Sequence, residues 1–371
     1  MKEKAKNFLL NLIEKLKVYY SKKIEFKKMK DKRRQLILSN FVLTKEQEQE
    51  IDDFFLKNLG RKVPYDWHRY YASYTGKFHK EYFPELFFIP VLQKLLVPEA
   101  YKNVLTDKNF LPIFLSSQNY IKTPKIYISR INNIYINSEH KFISEKEALE
   151  TLKNIGKVFL KPTTETGSGV ACKLLNVKDG IDLITNESLE KIINNYNSDF
   201  NFQEVIKNVK SINRIHPESL NTFRIITYCL NGQVYHVPVA MRIGRGKSYV
   251  DNAHQGGMFI HVDDEGNLGE CAFTEFQERF YEHPDSHIRF KGYKIPEVKK
   301  CIEAVEKLQQ LIPQVGLCSW DATVDNNGNV VIVEVNLKGQ SIWFPQMASG
   351  EPAFGENTAE ILKMIKNSKY N

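Results

Sequence analysis

Cysteine is scarce in this chain: five residues in 371, at positions 172, 229, 271, 301 and 318. No two form a Cys-x-x-Cys pair, which argues against both a zinc site and a disulfide framework. Reduced thiols in a cytoplasmic protein are the expectation. No apolar run is long enough to cross a bilayer. The charged residues 1–6, followed by the short apolar stretch 8–13, are too interrupted for a leader or a span. Internal repeats and low-complexity tracts are lacking, and no glycine loop leads into Gly-Lys-Ser/Thr, so a Walker A loop is excluded. Acidic residues are few in positions 1–34, 4 against 13 Lys/Arg. That net of +9 leaves about −1 for the rest of a chain whose total is +8. Basic charge confined to one terminal segment, with no recognition motif, argues against a nucleic-acid binder.

What is present is ordinary globular material: 42% hydrophobic and 26% charged residues place the chain away from disorder and allow a sizeable core in two or three domains. Residues 2–37 read as one basic helix with Phe8, Leu9, Leu12, Ile13, Leu16 and Tyr19 at helical spacing. Such a helix can lie on an anionic membrane surface, or pack its apolar stripe on the main body or on a second subunit. Thr44 and Gln47 form a capping box for a helix reaching about Asn58, with Gly60 as its stop. Ten aromatic residues crowd positions 65–88. Core packing between helices is their expected fate, with a stacking surface for sugar or base as the alternative. Helices follow near 90–96, after Asn109, and at 145–155 behind Ser144.

From 157 the pattern changes to strand, small-residue loop, strand. Gly167 and Gly169 let backbone N–H groups approach an anion, and Lys161, at the end of the first strand, can hold a phosphate as a point charge. The strand Asn201-Phe202-Gln203-Glu204-Val205-Ile206 sets an acid among apolar residues, which suits a base with an exocyclic amine. A hairpin turning at Asn231-Gly232 follows. Its Arg224 and Arg242 lie inside apolar strands, where a guanidinium is costly without an anionic partner. A polar turn, 250–257, then carries Asn252, His254, Gly256 and Gly257.

The sharpest signal is near the C-terminus. Two apolar runs flank the turn 325–328 and read as a hairpin with Asp321 in its first strand and Glu334 and Asn336 in its second. Residues two apart share a strand face, and pairing can bring Asp321 opposite them. Val331, Val333 and Val335 are expected on the other face. Two carboxylates and a carboxamide on one surface suit Mg²⁺, a hard cation that shares its shell with water and substrate phosphates.

Taken in order, these motifs resemble the ATP-grasp superfamily, and most closely its sugar-transfer, polysaccharide-associated branch. The residues carrying the likeness are Ser219-Leu220-Asn221-Thr222-Phe223-Arg224, Met241-Arg242-Ile243-Gly244, Val250-Asp251-Asn252 with Gly256-Gly257, His283-Pro284-Asp285, Trp320-Asp321 and Glu334-Val335-Asn336. The resemblance spans roughly residues 84–350. It implies an α+β fold, two halves clasping ATP behind an N-terminal helical region. The corresponding division is 1–83, 84–205 and 206–371. It further implies Lys108 and Lys161 on the α/β-phosphates, with Thr166, Gly167, Ser168 and Gly169 as a lid. Gln203, Glu204, Val205 and Ile206 would lie around the adenine, and Asp321, Glu334 and Asn336 around Mg²⁺. Asn252, Gly256 and Gly257 would face the substrate. The loop 163–166, Thr-Thr-Glu-Thr, is bulkier and more acidic than a simple glycine-rich lid.

Enzymes of that superfamily typically convert a carboxylate to an acyl phosphate with ATP and Mg²⁺, and an amine then displaces the phosphate. Arg224 and Arg242 are candidates to steady the acyl phosphate and the oxyanion, or to bind the substrate carboxylate. His254 is a candidate base, with a structural role in its turn as the alternative. From the resemblance, the expected partners are an acidic sugar, such as a uronic acid of a surface glycan, and an amino acid or amine. The expected location is the cytoplasm, at the inner face of a membrane. Two other classes compete: a phosphotransferase acting on a hydroxyl, and a non-catalytic nucleotide-binding subunit, against which the complete set of oxygen donors speaks.

Overall fold

The computed structural model describes residues 2–164, 171–196, 198–249, 251 and 256–370, with the backbone alone for residues 2–5 and 7. Helical periodicity runs through the first forty positions, but Asp31 interrupts it. Its Oδ1 accepts the Arg33 backbone N–H at 2.8 Å and so caps a new helix. In place of one helix over 2–37 there are two, α1 (Lys2–Met29) and α2 (Lys32–Ser39). The Thr44 capping box opens α3 (Lys45–Leu59), which ends on Gly60 at φ 84°. Next, α4 (Asp66–Thr75) carries Trp67, Tyr70, Tyr71 and Tyr74 into the core, joined there by Tyr82, Phe83, Phe87 and Phe88. The aromatic stretch is therefore packing, not an open stacking surface. Helical backbone resumes at Glu85, earlier than the expected Pro90, and passes through a π-helical turn, Phe88–Leu92, around that proline, which has no N–H to donate.

The remainder builds two sheets. The smaller is formed by β2 (Ile126–Ile131), β3 (Ile134–Asn137), β4 (Phe142–Ile143), β5 (Gly156–Pro162), β6 (Lys173–Lys178), β7 (Ile181–Asp182), β8 (Glu187–Ser188) and β9 (Phe200–Glu204), in the order β4-β3-β2-β9-β5-β6-β7-β8. All its pairings are antiparallel. Val158, Leu160, Phe200 and Phe202 turn one face onto the helices Glu145–Leu152 and Leu189–Asn194. The opposite face carries Phe159, Lys161, Asn201 and Gln203, cross-strand neighbours that share a side because β5 and β9 pair directly.

The larger sheet contains β1 (Ile121–Lys122), β10 (Thr222–Leu230), β11 (Gln233–His236), β12 (Val239–Ile243), β13 (Met258–Val262), β14 (Ala272–Phe273), β15 (Arg279–Phe280), β16 (Leu317–Val324) and β17 (Val330–Asn336). Its order is β1-β17-β16-β10-β12-β13-β14-β15, with β11 also on β10 and only β1 parallel to its neighbour. The return strand of the 231–232 hairpin breaks at Val237-Pro238, so β11 and β12 pair with opposite ends of β10. One continuous core, from Val18 to Ile365, packs the N-terminal helices and the helices Glu297–Gln310 and Thr358–Lys366 with this sheet.

The two sheets are joined through Asn208. Its Nδ2 donates to the Asn221 carbonyl at 3.0 Å and to Thr323 Oγ1 at 2.6 Å, and its Oδ1 accepts the Asn221 N–H at 2.9 Å. The buried amide thus pins the link after β9 to both β10 and β16.

Candidate active site

In the C-terminal hairpin, Asp325 organises the turn: its Oδ1 accepts the N–H groups of Asn327 at 2.9 Å and Asn329 at 2.8 Å, and Gly328 takes φ 83°. Pairing then sets Asp321 against Glu334 and Ser319 against Asn336, so the three oxygen-bearing side chains share a face as the spacing predicts. Asn336 Nδ2 lies 3.4 Å from Asp321 Oδ2 and 3.4 Å from Glu334 Oε1. The valines differ from expectation. The register shifts between Asp321 and Ala322, leaving Val333 as the extra residue of a bulge, and the bulge reverses the alternation beyond it. Ile332, opposite Ala322, joins Val335 in the core, while Val331 pairs with Thr323 on the side of Asp321. Among the described residues no cluster of three or more His, Cys, Asp or Glu could hold a metal ion, so any cation here depends on the Asn336 amide and on ligands brought by substrate.

The arginines find their anion in Asp321. On β10, Arg224 faces it in register and donates twice, Nε to Oδ1 at 2.6 Å and Nη2 to Oδ2 at 3.2 Å. From β12, Arg242 Nη2 approaches Oδ2 at 3.0 Å, while also donating to Thr222 Oγ1 at 2.8 Å and lying 3.6 Å from Asp251. Thr222 in turn donates to Asp251 Oδ2 at 2.5 Å. Burial alone would raise the Asp321 carboxyl, but Arg224 and then Arg242 outweigh it and hold that group well below the ordinary carboxylate range. Asp251 goes the other way: burial raises it despite Arg242. Thr222 and Asp251 were visible in the sequence only inside motifs, as neighbours of Arg224 and Asn252. Their meeting depends on β10 pairing with β12.

Opposite this cluster stands the smaller sheet. The Lys108 N–H donates to the Thr163 carbonyl at 3.0 Å, just beyond β5, and its Nζ reaches to 3.7 Å from Glu334 Oε2. Beside it Asn109 Oδ1 accepts from Ser129 Oγ at 2.8 Å and Asn201 Nδ2 at 3.0 Å, fixing the start of the helix Phe110–Leu115 against the sheet. Lys161 is half-buried beside Phe159, its Nζ 5.2 Å from the ring centroid, and burial lowers its ammonium below the usual lysine range. Phe159 belongs to neither core; its ring lies 6.0 Å from Tyr249 of the larger half, so it forms an apolar wall between the two sheets. Asn201 Oδ1 and Gln203 Oε1 are buried acceptors with no hydrogen-bond partner among the described residues.

At the end of β9 the Glu204 side chain is exposed, on the side of its cross-strand neighbour Val158 and not on that of Gln203. Its Oε2 accepts the Lys125 N–H at 3.2 Å, and Val205 and Ile206 continue half-buried toward Asn208. The Gly256 carbonyl accepts from Arg245 Nε at 2.5 Å, and Gly257 is buried where β13 begins. Thr166, Gly167, Ser168, Gly169, Asn252 and His254 lie outside the described residues. The structure therefore brings together Lys108, Asp321, Glu334 and Asn336, with Arg224 and Arg242 behind them, and sets Lys161 and Gln203 on the facing sheet.

The motif His283-Pro284-Asp285 acts on the backbone. His283 Nε2 donates to the Gly244 carbonyl at 2.9 Å, and Asp285 Oδ2 accepts the Gly246 N–H at 2.6 Å. Gly244 lies so close to Ser219 that a Cβ would overlap it and crowd His216, and its N–H donates to Asn221 Oδ1 at 3.2 Å. These contacts hold the end of β12, and with it Arg242, in place.

The sequence profile described as sugar-transfer associated ATP-grasp matches residues 91–362. No curated protein matches the sequence. Among solved structures, a D-alanyl-alanine synthetase A from Vibrio cholerae is similar at 11% identity and TM-score 0.41, covering 72% of this chain and 65% of that one. A D-Ala:D-Ser ligase from Enterococcus faecalis aligns at 13% identity and TM-score 0.39, over 71% of this chain and 61% of its own. An N5-carboxyaminoimidazole synthetase from Staphylococcus aureus, complexed with ADP, aligns at 15% and TM-score 0.35, over 64% of this chain and 46% of its own. The aligned region thus spans less than two thirds of each of these three chains.

Proposed function

The chain belongs to the sugar-transfer associated ATP-grasp family, and from that premise we propose that it is an ATP- and Mg²⁺-dependent carboxylate–amine ligase. Its acceptor is the carboxylate of an acidic sugar, a uronic acid of a surface glycan or its precursor, and the second substrate is an amino acid or amine. The observation that carries the proposal is the meeting of Lys108 with Glu334 at 3.7 Å, in contact with Asp321 and Asn336 and backed by two half-buried arginines. Four cations, Lys108, Lys161, Arg224 and Arg242, surround three carboxylates, Asp251, Asp321 and Glu334, so the site as it stands favours a further anion.

ATP fits the face of the smaller sheet. Phe159 offers an apolar wall, the unpartnered acceptors of Asn201 and Gln203 await donors, and Lys161, whose ammonium burial disfavours, is stabilised in its charged form by a phosphate beside it. Gln203, Glu204, Val205 and Ile206 would line the base, and Thr166, Gly167, Ser168 and Gly169 would close over the phosphates that Lys108 and Lys161 hold. The hard oxygens of Asp321, Glu334 and Asn336 suit Mg²⁺, which when bound neutralises charge on the transferring phosphoryl group. In the reaction a carboxylate oxygen takes the γ-phosphoryl and ADP leaves. The amine nitrogen then bonds to the acyl carbon, phosphate departs, and the amine proton passes to His254 or to water.

Arg224 and Arg242 steady the acyl phosphate and the oxyanion. Asp321 positions both guanidiniums, and Asn252, Gly256 and Gly257 border the acceptor. The proposed setting is the cytoplasm, at the inner face of a membrane where the glycan or its precursor would be held.

The test is ADP release with ATP, Mg²⁺ and a panel of acidic sugars, with and without amino acids. Strict dependence on the amine, with an amide product, is expected. A phosphorylated sugar formed without amine would make the protein a kinase instead. Glu334→Gln is expected to abolish turnover while leaving the circular dichroism spectrum unchanged, and normal turnover in that variant would remove the metal assignment.

A further inference from the structure

Helix α1 is docked by its less apolar side. The residues that meet the body along the middle of that side are Glu14, paired with Lys94 at 3.2 Å, then Val18, Lys22 over Phe87, Glu25 and Met29, while Phe26 packs edge-on to Trp67 at its border. Their spacing of four, four, three and four marks a single helix face. The apolar stripe lies half a turn away and points outward. Phe8 is 70% exposed, Leu12 44%, Leu16 48%, and Tyr19 and Tyr20 60% each, with Leu9 and Ile13 beside them. Of the three fates open to an amphipathic helix here, packing its stripe on the main body is ruled out by the body itself, which takes the opposite face.

Charge identifies what covers the stripe. Lys15 and Lys17 flank it, and the exposed Lys23 and Lys27 continue the same face toward the turn into α2. There an open groove includes Lys27, Lys30 and Lys32, none with an ion-pair partner among the described residues. Residues 1–34 carry a net +9, so a second copy laid on this face would bring another +9 against it, whereas an anionic surface is attracted by the whole set. Lysines beside an apolar strip extend their stems along it and keep the ammonium in the headgroup layer, and tyrosines suit the same depth. The helix is about 42 Å long at 1.5 Å per residue, and no helix among the described residues is long and apolar enough to cross a membrane. We propose that the outward face of α1, continued by the basic turn into α2, docks in the plane of an anionic lipid bilayer. This membrane contact stands apart from the ligase chemistry and would hold if the reaction were of another kind.

The test is co-sedimentation of the full chain with phosphatidylcholine vesicles, with and without phosphatidylglycerol. Binding is expected only to the anionic vesicles and should weaken as salt is raised. The double variant Leu12→Glu/Leu16→Glu should lower partitioning by more than about tenfold, and Lys23→Ala/Lys27→Ala by roughly thirtyfold. Both should melt at the same temperature as the parent protein, since these side chains face away from the body. Failure of the parent protein to bind anionic vesicles would overturn the proposal, as would unchanged binding by the leucine variant. So would a dimer in analytical ultracentrifugation that the leucine variant splits, because a second copy would then cover the face. A loss of ligase activity in the ADP assay with vesicle binding intact would count against the reaction and not against the docking.

Discussion

Asp321 shows how a residue's neighbours decide its role. A carboxylate gripped by Arg224 through two nitrogens and by Arg242 through a third is held ionised in a buried place, so it both fixes the guanidiniums and stays available as a negative oxygen donor. Glu85 is the contrasting case. It is fully enclosed, accepting the Ile342 N–H at 3.0 Å with one oxygen while the other has no partner among the described residues. Burial, and then the nearby Glu25, raise its carboxyl to about 8. In the unfolded chain a glutamate titrates at about 4.3. Between those values the folded state keeps a proton that the unfolded state has lost, so this group makes stability fall as pH rises across that window. Glu85→Gln should therefore melt higher than the parent protein at pH 8 and show no such advantage at pH 4. Parallel melting profiles across that range would refute the assignment. Glu334 and Asn336 were legible as functional candidates because a polar pair two apart in a valine-rich strand cannot be explained by burial. Glu85 was not, since an acid in a helical sequence looks solvated until its neighbours are known.

At the scale of elements, local chemistry carried far. The Thr44 and Ser144 capping boxes, the Gly60 stop and the turn at 325–328 lie where side-chain hydrogen bonds and positive φ require them. What local pattern missed was interruption by single residues: Asp31 splitting the first helix, Pro238 splitting a return strand, and the Val333 bulge reversing which valines face the core. Asp31 and Pro238 act within a few positions, through a cap two residues on and a missing N–H, whereas the Val333 bulge depends on a register that exists only once β16 lies alongside. Asn208 is the element-level joint, and its buried amide makes two hydrogen bonds to Asn221, the residue leading into β10, and one to Thr323 on β16. Asn208→Ala should cost about 1–3 kcal/mol by leaving buried partners unsatisfied, read as a lower urea midpoint. A midpoint equal to that of the parent protein would mean the link is held elsewhere.

For the whole molecule, ligand binding across the two sheets should appear as linkage. Mg²⁺–ATP at a hundredfold excess over its Kd should add about 2.7 kcal/mol to the stability of the folded state, visible as a higher melting temperature. Lys161→Ala should lose most of that gain while melting normally without ligand. An undiminished shift in Lys161→Ala would move the nucleotide away from the smaller sheet. The membrane face belongs to this scale too, because only the assembled body reveals which side of α1 is left outside. By itself the sequence determined the kinds of element, their order and the chemistry gathered on the C-terminal hairpin, since periodicity, capping and turn residues act over a few positions. The tertiary structure alone decided that Lys108 meets Glu334, that two arginines converge on Asp321, and that the apolar stripe of α1 faces outward. Those outcomes rest on contacts between segments tens to hundreds of residues apart, and no local preference encodes which distant partner a side chain will find.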